Sequence, residues 1–277
     1  MAPVCLRDNR PMPAASSSPS LLSCPSSTPP GPGEAPSCYA LVPCAGVGER
    51  AGVGGPKQYH EVAGRSVVSH TLAALAAVPA LRATLVVLAP DDGQFEQVVP
   101  EFAGERAWVA RVGGATRAHS VLQGLNELLS RGAKERDWVL VHDAARCLIR
   151  PEWVERLISQ CQDDAVGGLL ALPLADTLKA AEIEATDSGD GARAVSTVSR
   201  AGKWAAQTPQ MFRLGLLRPA LQQALSDPGL AAAITDEASA LEAQGHRPRL
   251  VPGHFENFKL TWPEDFSLAE RLLRSPA

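Results

Sequence analysis

The sequence predicts an α/β fold: a mostly parallel, Rossmann-like sheet with helices on both faces and a projecting β-arm. Three observations predict it. From Cys38 onward, short apolar runs alternate with amphipathic stretches, the rhythm of β-α units that sandwich parallel strands between helices. A glycine-rich turn, Pro43-Cys44-Ala45-Gly46-Val47-Gly48-Glu49-Arg50, follows the first apolar run, where a buried strand hands over to a loop. The rhythm then breaks between about Asp176 and Gln207, where two runs flank a polar turn.

Taken in order, Tyr39-Ala40-Leu41-Val42 is short and apolar throughout, as a buried parallel strand is. Val67 to Val78 reads as a helix, Leu85 to Leu88 as a strand, Phe95 to Val99 as a helix and Trp108 to Val112 as a strand. Ala118 to Leu129 is the clearest helix, because Val121, Leu122, Leu125, Leu128 and Leu129 form one stripe at 3.6-residue spacing. Trp138 to Val141 is the next strand and Pro151 to Cys161 the next helix, with Pro151 suited to a first turn. Thr177 to Glu184 and Ala194 to Val198, separated by Thr186-Asp187-Ser188-Gly189-Asp190-Gly191, predict a hairpin of the kind that mediates dimerisation. Helices follow near Leu214 to Leu225, Asp236 to Gln244 and Pro263 to Leu273, and no internal repeat is present.

Composition bounds the partners. Hydrophobic residues at 45% and charged residues at 20% of 277 positions support a substantial core. A formal charge of −4 argues against a general nucleic-acid or anionic-membrane binder, both of which want a basic face. No run of 18 apolar residues exists, so no membrane span is expected. The six cysteines, Cys5, Cys24, Cys38, Cys44, Cys147 and Cys161, lack zinc-site spacing and read as free thiols, which fits a reducing cytoplasm. Residues 1–37 hold nine prolines and eight serines and little charge, so they are expected to form a disordered tail ahead of a single domain at 38–277. Two arginines are thin support for a transit peptide, and initiation at Met12 or beyond is an equally plain account of this stretch.

Gly46 and Gly48 let backbone N–H groups close on a triphosphate, and Arg50 and Lys57 add charge that amide dipoles alone cannot supply. A dinucleotide fingerprint is excluded because a long glycine-rich loop, not a helix, follows. A P-loop is excluded because Pro56 precedes Lys57 and Gln58, not Ser or Thr, follows it. A flexible glycine loop stays open as the alternative. Gly113-Gly114-Ala115-Thr116-Arg117-Ala118-His119-Ser120-Val121 sits between a strand and a helix, where its amides either meet a ligand or serve only as a capped helix start. Val141-His142-Asp143-Ala144-Ala145-Arg146 places Asp143 at a strand end, to hold a Mg²⁺ carried by nucleotide phosphates or merely to face solvent. Arg200, Thr208 and Lys259 are unremarkable singly.

Together these segments resemble the 2-C-methyl-D-erythritol 4-phosphate cytidylyltransferases from about Tyr39 to about Arg274. The matching pieces run in the family's order: Pro43 to Tyr59, Gly113 to Val121, Val141 to Arg146, Asp176-Thr177-Leu178-Lys179, Thr208-Pro209-Gln210, Thr235-Asp236-Glu237 and Asn257 to Asp265. The resemblance implies transfer of CMP from CTP to the sugar-alcohol phosphate, with Mg²⁺ or another divalent cation, by a homodimer. It implies that Arg50 and Lys57 stabilise the transition state and that Arg200 and Lys259 position the acceptor phosphate. Cys44, Ala45, Gly46, Gly48, Gly114 and Ser120 would form the nucleotide site. Asp143 would face acceptor and metal, and Thr177 and Thr208 the acceptor, with Thr177 and Arg200 serving the partner's site through an exchanged arm.

Three positions depart from the family pattern: Cys44 stands for alanine, Ala115 for an acid on the cytosine side and Cys147 for proline. The rival readings are a related cytidylyltransferase acting on ribitol 5-phosphate, or a hexose-phosphate enzyme of the same scaffold, and a non-catalytic nucleotide-binding dimer. The presence of Arg50, Lys57, Arg200 and Lys259 together counts against the last.

Overall fold

The computed structural model describes residues 35–46, 55–184 and 191–275. The compact unit that carries the site spans Pro36–Ala277. Its chain enters through β1 (Cys38–Pro43), buried along its length. A 3-10 turn at Lys57–Tyr59 leads to a small hairpin, β2 (Glu61–Val62) and β3 (Arg65–Ser66). Ser66 then caps α1 (Val67–Ala76) by accepting from the Ser69 N–H.

Strand β4 (Leu81–Val87), the single-turn α2 (Phe95–Val98) and β5 (Ala107–Ala110) follow. Thr116 caps α3 (Arg117–Ser130), β6 (Trp138–Val141) crosses the centre, and Pro151 opens α4 (Pro151–Cys161). Next come β7 (Gly167–Pro173), the arm strands β8 (Leu178–Glu184) and β9 (Gly191–Val198), and the long return strand β10 (Trp204–Arg213). The chain closes with α5 (Leu214–Ser226), α6 (Pro228–Ala233), α7 (Glu237–Glu242), β11 (Arg249–Pro252) and α8 (Pro263–Arg274).

Seven strands form one sheet in the order β11-β7-β10-β6-β1-β4-β5. All neighbours pair in parallel except β10, which runs antiparallel to both β6 and β7. The expected α/β architecture is therefore present, with one reversed strand. Because side chains alternate across a strand, Ala40, Val42, Val86 and Leu140 face one core with Leu72, Leu75, Val154 and Leu157 of α1 and α4. Tyr39, Leu41, Leu85 and Val141 face the other, with Val121, Leu125, Leu217 and Leu221 of α3 and α5. A third cluster seats Phe266 and Ala269 of α8 on Val62 and Val67. No helix among the described residues is long and apolar enough to cross a membrane.

Among the described residues the arm strands pair only with each other, from Leu178 opposite Val198 to Glu184 opposite Gly191. That is the expected hairpin, with Thr177 just outside it. Strands β7, β10 and β11 were not expected from sequence, and the predicted strand Trp108 to Val112 ends at Ala110, leaving Val112 to the following loop. Asp236 is a helix cap, not a helix residue: its carboxylate accepts from the Ser239 N–H. Ser37, assigned to the tail, is tied to the unit by its N–H to Asp137 Oδ1 at 3.0 Å and its carbonyl to Trp138 N–H at 2.8 Å. The rest of the tail, up to residue 34, lies outside the described residues.

Candidate active site

The parallel strands β1, β5 and β6 deliver their carboxyl-terminal loops to one cavity of about 230 Å³. The first wall is Pro43 to Gly46. Cys44 N–H prolongs the ladder to Val87 O at 2.7 Å, and Gln58 Nε2 donates to Cys44 O at 3.1 Å, so the turn carrying Lys57 is tied back to the strand end. The second wall is Gly113 to Ser120. Gly113 N–H donates to Leu88 O at 2.8 Å, and a side chain there would run into the Ala45 methyl, so only glycine lets the two loops close. Ser120 Oγ accepts from Gly114 N–H at 3.1 Å and donates to Thr116 O at 3.1 Å, bracing the turn that holds Ala115 against the cavity.

The third wall is the loop after β6. Thr208 Oγ1 accepts from Asp143 N–H at 3.0 Å and lies 3.0 Å from His142 Nδ1. Nε2 lies 3.3 Å from Arg146 O, which can only accept, so Nε2 carries the proton and Nδ1 of the neutral ring accepts from the Thr208 hydroxyl. Burial holds this imidazole neutral, its pKa lowered to about 4. The Asp143 carboxylate is surrounded by cations: Arg117 Nε on Oδ1 at 2.8 Å, Lys259 Nζ on Oδ2 at 2.9 Å and Arg146 Nε 3.8 Å from Oδ2. Burial alone would raise its pKa, but the charges of Arg117, Lys259 and Arg146 hold it well below the usual carboxylate range. Arg117 also grips Glu237 by both fork nitrogens, at 2.6 and 3.1 Å. Burial opposes the guanidinium charge, yet Glu237 and Asp143 outweigh it and raise its pKa above the ordinary arginine value.

Lys57 Nζ donates to Leu260 O at 2.9 Å, next to Lys259, so both lysines are anchored on one short segment. That segment is stitched to the Asp143 loop: Leu260 N–H donates to Ala145 O at 2.9 Å, and Arg146 Nη1 to Asn257 O at 2.7 Å. Asn257, fully buried, donates in turn to Thr208 O at 2.8 Å.

Of the residues expected at the site, Cys44, Ala45, Gly46, Lys57, Gly114, Ser120, Asp143 and Lys259 line this cavity together. Thr208 does not line it and instead lies buried behind Asp143. Thr177 and Arg200 are exposed, flanking the open base of the arm hairpin, and do not line this chain's cavity. Gly48 and Arg50 lie outside the described residues. Arg117, Arg146, Gln58, Glu237 and Asn257 were not singled out from sequence. Arg117 and Glu237 stand 120 positions apart, and no local pattern pairs them. Cys38, Cys44, Cys147 and Cys161 are free thiols, as expected. Burial pushes the Cys44 thiol far up, which keeps it protonated beside the cavity.

Among the described residues no group of three or more His, Cys, Asp or Glu could hold a metal ion. Asp143 is the one carboxylate among the described lining residues, and both its oxygens already meet cations. Mg²⁺ is commonly held by one or two carboxylates with phosphate oxygens and water completing the shell. These donors therefore fit an ion that arrives on a triphosphate, not one the protein holds alone.

The family model for 2-C-methyl-D-erythritol 4-phosphate cytidylyltransferases matches residues 38–275. The 2-C-methyl-D-erythritol 4-phosphate cytidylyltransferase of Paraburkholderia phytofirmans is 53% identical over 239 residues, 86% of this chain and 97% of that protein. A bifunctional IspD/IspF enzyme of Albidiferax ferrireducens is 56% identical over 238 residues, 86% of this chain, and the match spans about half, 53%, of that longer protein. Among solved structures, a 4-diphosphocytidyl-2C-methyl-D-erythritol synthase superposes with a TM-score of 0.71 at 40% identity, covering 87% of this chain and all of the other.

Proposed function

This chain belongs to the 2-C-methyl-D-erythritol 4-phosphate cytidylyltransferase family, and from that premise we propose that it joins CMP from CTP to 2-C-methyl-D-erythritol 4-phosphate and releases pyrophosphate, a step of the non-mevalonate route to isoprenoid precursors. It is a nucleotidyltransferase. The observation that carries the reading is the convergence of Lys57, Lys259 and Asp143 on one cavity walled by the loops that carry Cys44 to Gly46 and Gly114 to Ser120.

In the reaction, an oxygen of the acceptor phosphate attacks the α-phosphorus, and the bond from that phosphorus to the bridging oxygen breaks to free pyrophosphate. The nucleophile is already an anion, so no side chain need remove a proton. Negative charge gathers on the non-bridging oxygens and on the leaving group, and fixed cations lower the barrier most where that charge develops. Lys57, held by Leu260 O, meets the triphosphate together with Arg50. Lys259 takes the acceptor phosphate, with Asp143 beside it. The loops at Cys44 to Gly48 and Gly114 to Ser120 receive the nucleotide, and Ser120 keeps the second loop in shape. A bound Mg²⁺ would neutralise triphosphate oxygens, with Asp143 as the protein carboxylate within the cavity to support it.

The working form we propose is a homodimer. The arm's Val195 is 63% exposed, and Thr177 and Arg200 at its base would complete the partner's acceptor site. The test is pyrophosphate release by purified protein with CTP and Mg²⁺, run in parallel with 2-C-methyl-D-erythritol 4-phosphate and ribitol 5-phosphate. Release that depends on the first acceptor is the expected result. Equal or greater release with ribitol 5-phosphate would overturn the acceptor assignment.

A further inference from the structure

Asp143 is more heavily countered than one carboxylate needs, and the surplus is unevenly held. Its Oδ1 accepts from Arg117 and its Oδ2 from Lys259, while Arg146 Nε stands 3.8 Å from Oδ2, too far for a hydrogen bond. That Nε–H is buried and has no hydrogen-bond partner, which is uncommon because an unmet buried donor is costly. The rest of the Arg146 guanidinium is fixed, with Nη1 on Asn257 O at 2.7 Å and Nη2 on Ala206 O at 3.4 Å. Lys259 differs from it in freedom: its side chain is 35% exposed, against 12% for Arg146 and 10% for Asp143.

We infer that Arg146 is a positioning residue that exchanges places with Lys259 on Asp143. In the free enzyme Lys259 is parked on Oδ2. When a phosphate monoester enters, the Lys259 ammonium turns to it, and the unused Arg146 Nε–H closes on Oδ2, so that oxygen is never left without a cationic partner. The movement needed is small: about 1 Å of approach brings the pair to charge-assisted hydrogen-bond distance, and the terminal carboxylate torsion of aspartate is soft. Without Arg146 Nε, releasing Lys259 would leave Oδ2 buried and under-compensated, and the lysine would stay on Asp143. The inference rests on the acceptor-phosphate role proposed for Lys259.

A crystal structure of the wild-type protein with 2-C-methyl-D-erythritol 4-phosphate tests it directly. Expected are Lys259 Nζ on the phosphate and Arg146 Nε at about 2.9 Å from Asp143 Oδ2. Lys259 still on Asp143, or Arg146 Nε unmoved or turned to the buried Asn257 Oδ1, would overturn it. Kinetics give the second test, because Arg146→Lys keeps the charge and removes Nε. It should raise KM for the acceptor by about 5–20-fold while KM for CTP changes less than about 2-fold, and the accompanying loss of acceptor affinity, read by equilibrium titration, should vanish in a Lys259→Ala background, where there is no lysine to release. Equal effects in both backgrounds, or equal shifts in both KM values, would mean a merely structural role. If the wild type turns the acceptor over but no exchange is seen, only this inference fails. If it neither binds nor uses the acceptor, both fail.

Discussion

A lysine ammonium helps a transition state most when something already holds it in place, and Lys57 has that support in Leu260 O. Lys57→Ala should therefore lower kcat by about 10² to 10³ and weaken CTP binding by less than about tenfold, measured by steady-state rates and by equilibrium titration with CTP. A collapse of CTP affinity with turnover intact would show that Lys57 serves only binding. His142 sets a pH dependence of stability. Its folded pKa is lowered from 6.5 to about 4, so the unfolded chain binds the proton more readily, and its contribution is full above about pH 6.5 and is lost as pH falls toward 4. Between pH 7.5 and 4.5 the wild type should lose about 2–3 kcal/mol relative to His142→Asn, as read by urea unfolding. An unchanged difference between the two proteins would rule this out. At this scale the sequence was informative where chemistry is local: Lys57, Asp143 and Gly114 belong to motifs that end at the cavity. It was silent where partners are remote, because Arg117 acquires its role only from Asp143 and Glu237, which the fold brings to it from other segments.

Elements with strong periodicity or uniform burial were legible in full. Trp138–Val141 and Pro151–Cys161 stand as expected, since one is apolar at every position and the other opens on a proline. The return strand β10 was hidden by Pro209, which cannot donate to a ladder and argues against a central strand. The fold accommodates it at an irregularity: pairing with β7 is interrupted between Ala206 and Gln210, and pairing with β6 begins only at Gln210. Strand β7 was hidden by its glycines and its lack of β-branched residues. Those glycines have a reason in the sheet. Gly167 has φ +108°, and a Cβ there would collide with Met211 O on the neighbouring strand. Gly167→Ala should cost about 2–4 kcal/mol in chemical denaturation, from the left-handed backbone and the collision together. A loss under about 0.5 kcal/mol would mean that β7 and β10 can separate freely, contrary to the packing described.

At the scale of the whole molecule, the arm is what β-α logic does not explain. It was legible as a break in rhythm, and its strands leave the main sheet and pair with each other. Its Arg200 does not line the cavity of its own chain, and the proposed dimer gives that arginine a site to serve. Mixing inactive Arg200→Ala subunits with inactive Lys259→Ala subunits should restore activity, because half of the sites in a heterodimer would then hold both native residues. No recovery, with heterodimers confirmed by native mass spectrometry, would place the site within one chain. The central claim, that this cavity transfers a cytidylyl group to a phosphate monoester, is tested most directly by ³¹P NMR of CTP, Mg²⁺ and 2-C-methyl-D-erythritol 4-phosphate with the wild-type protein. The account predicts that the three triphosphate resonances and the monoester resonance give way to the coupled pair of an asymmetric diphosphate diester and to pyrophosphate, with no such change for Lys57→Ala on the same timescale. An unchanged spectrum, or CTP hydrolysed while the monoester resonance persists, would contradict it.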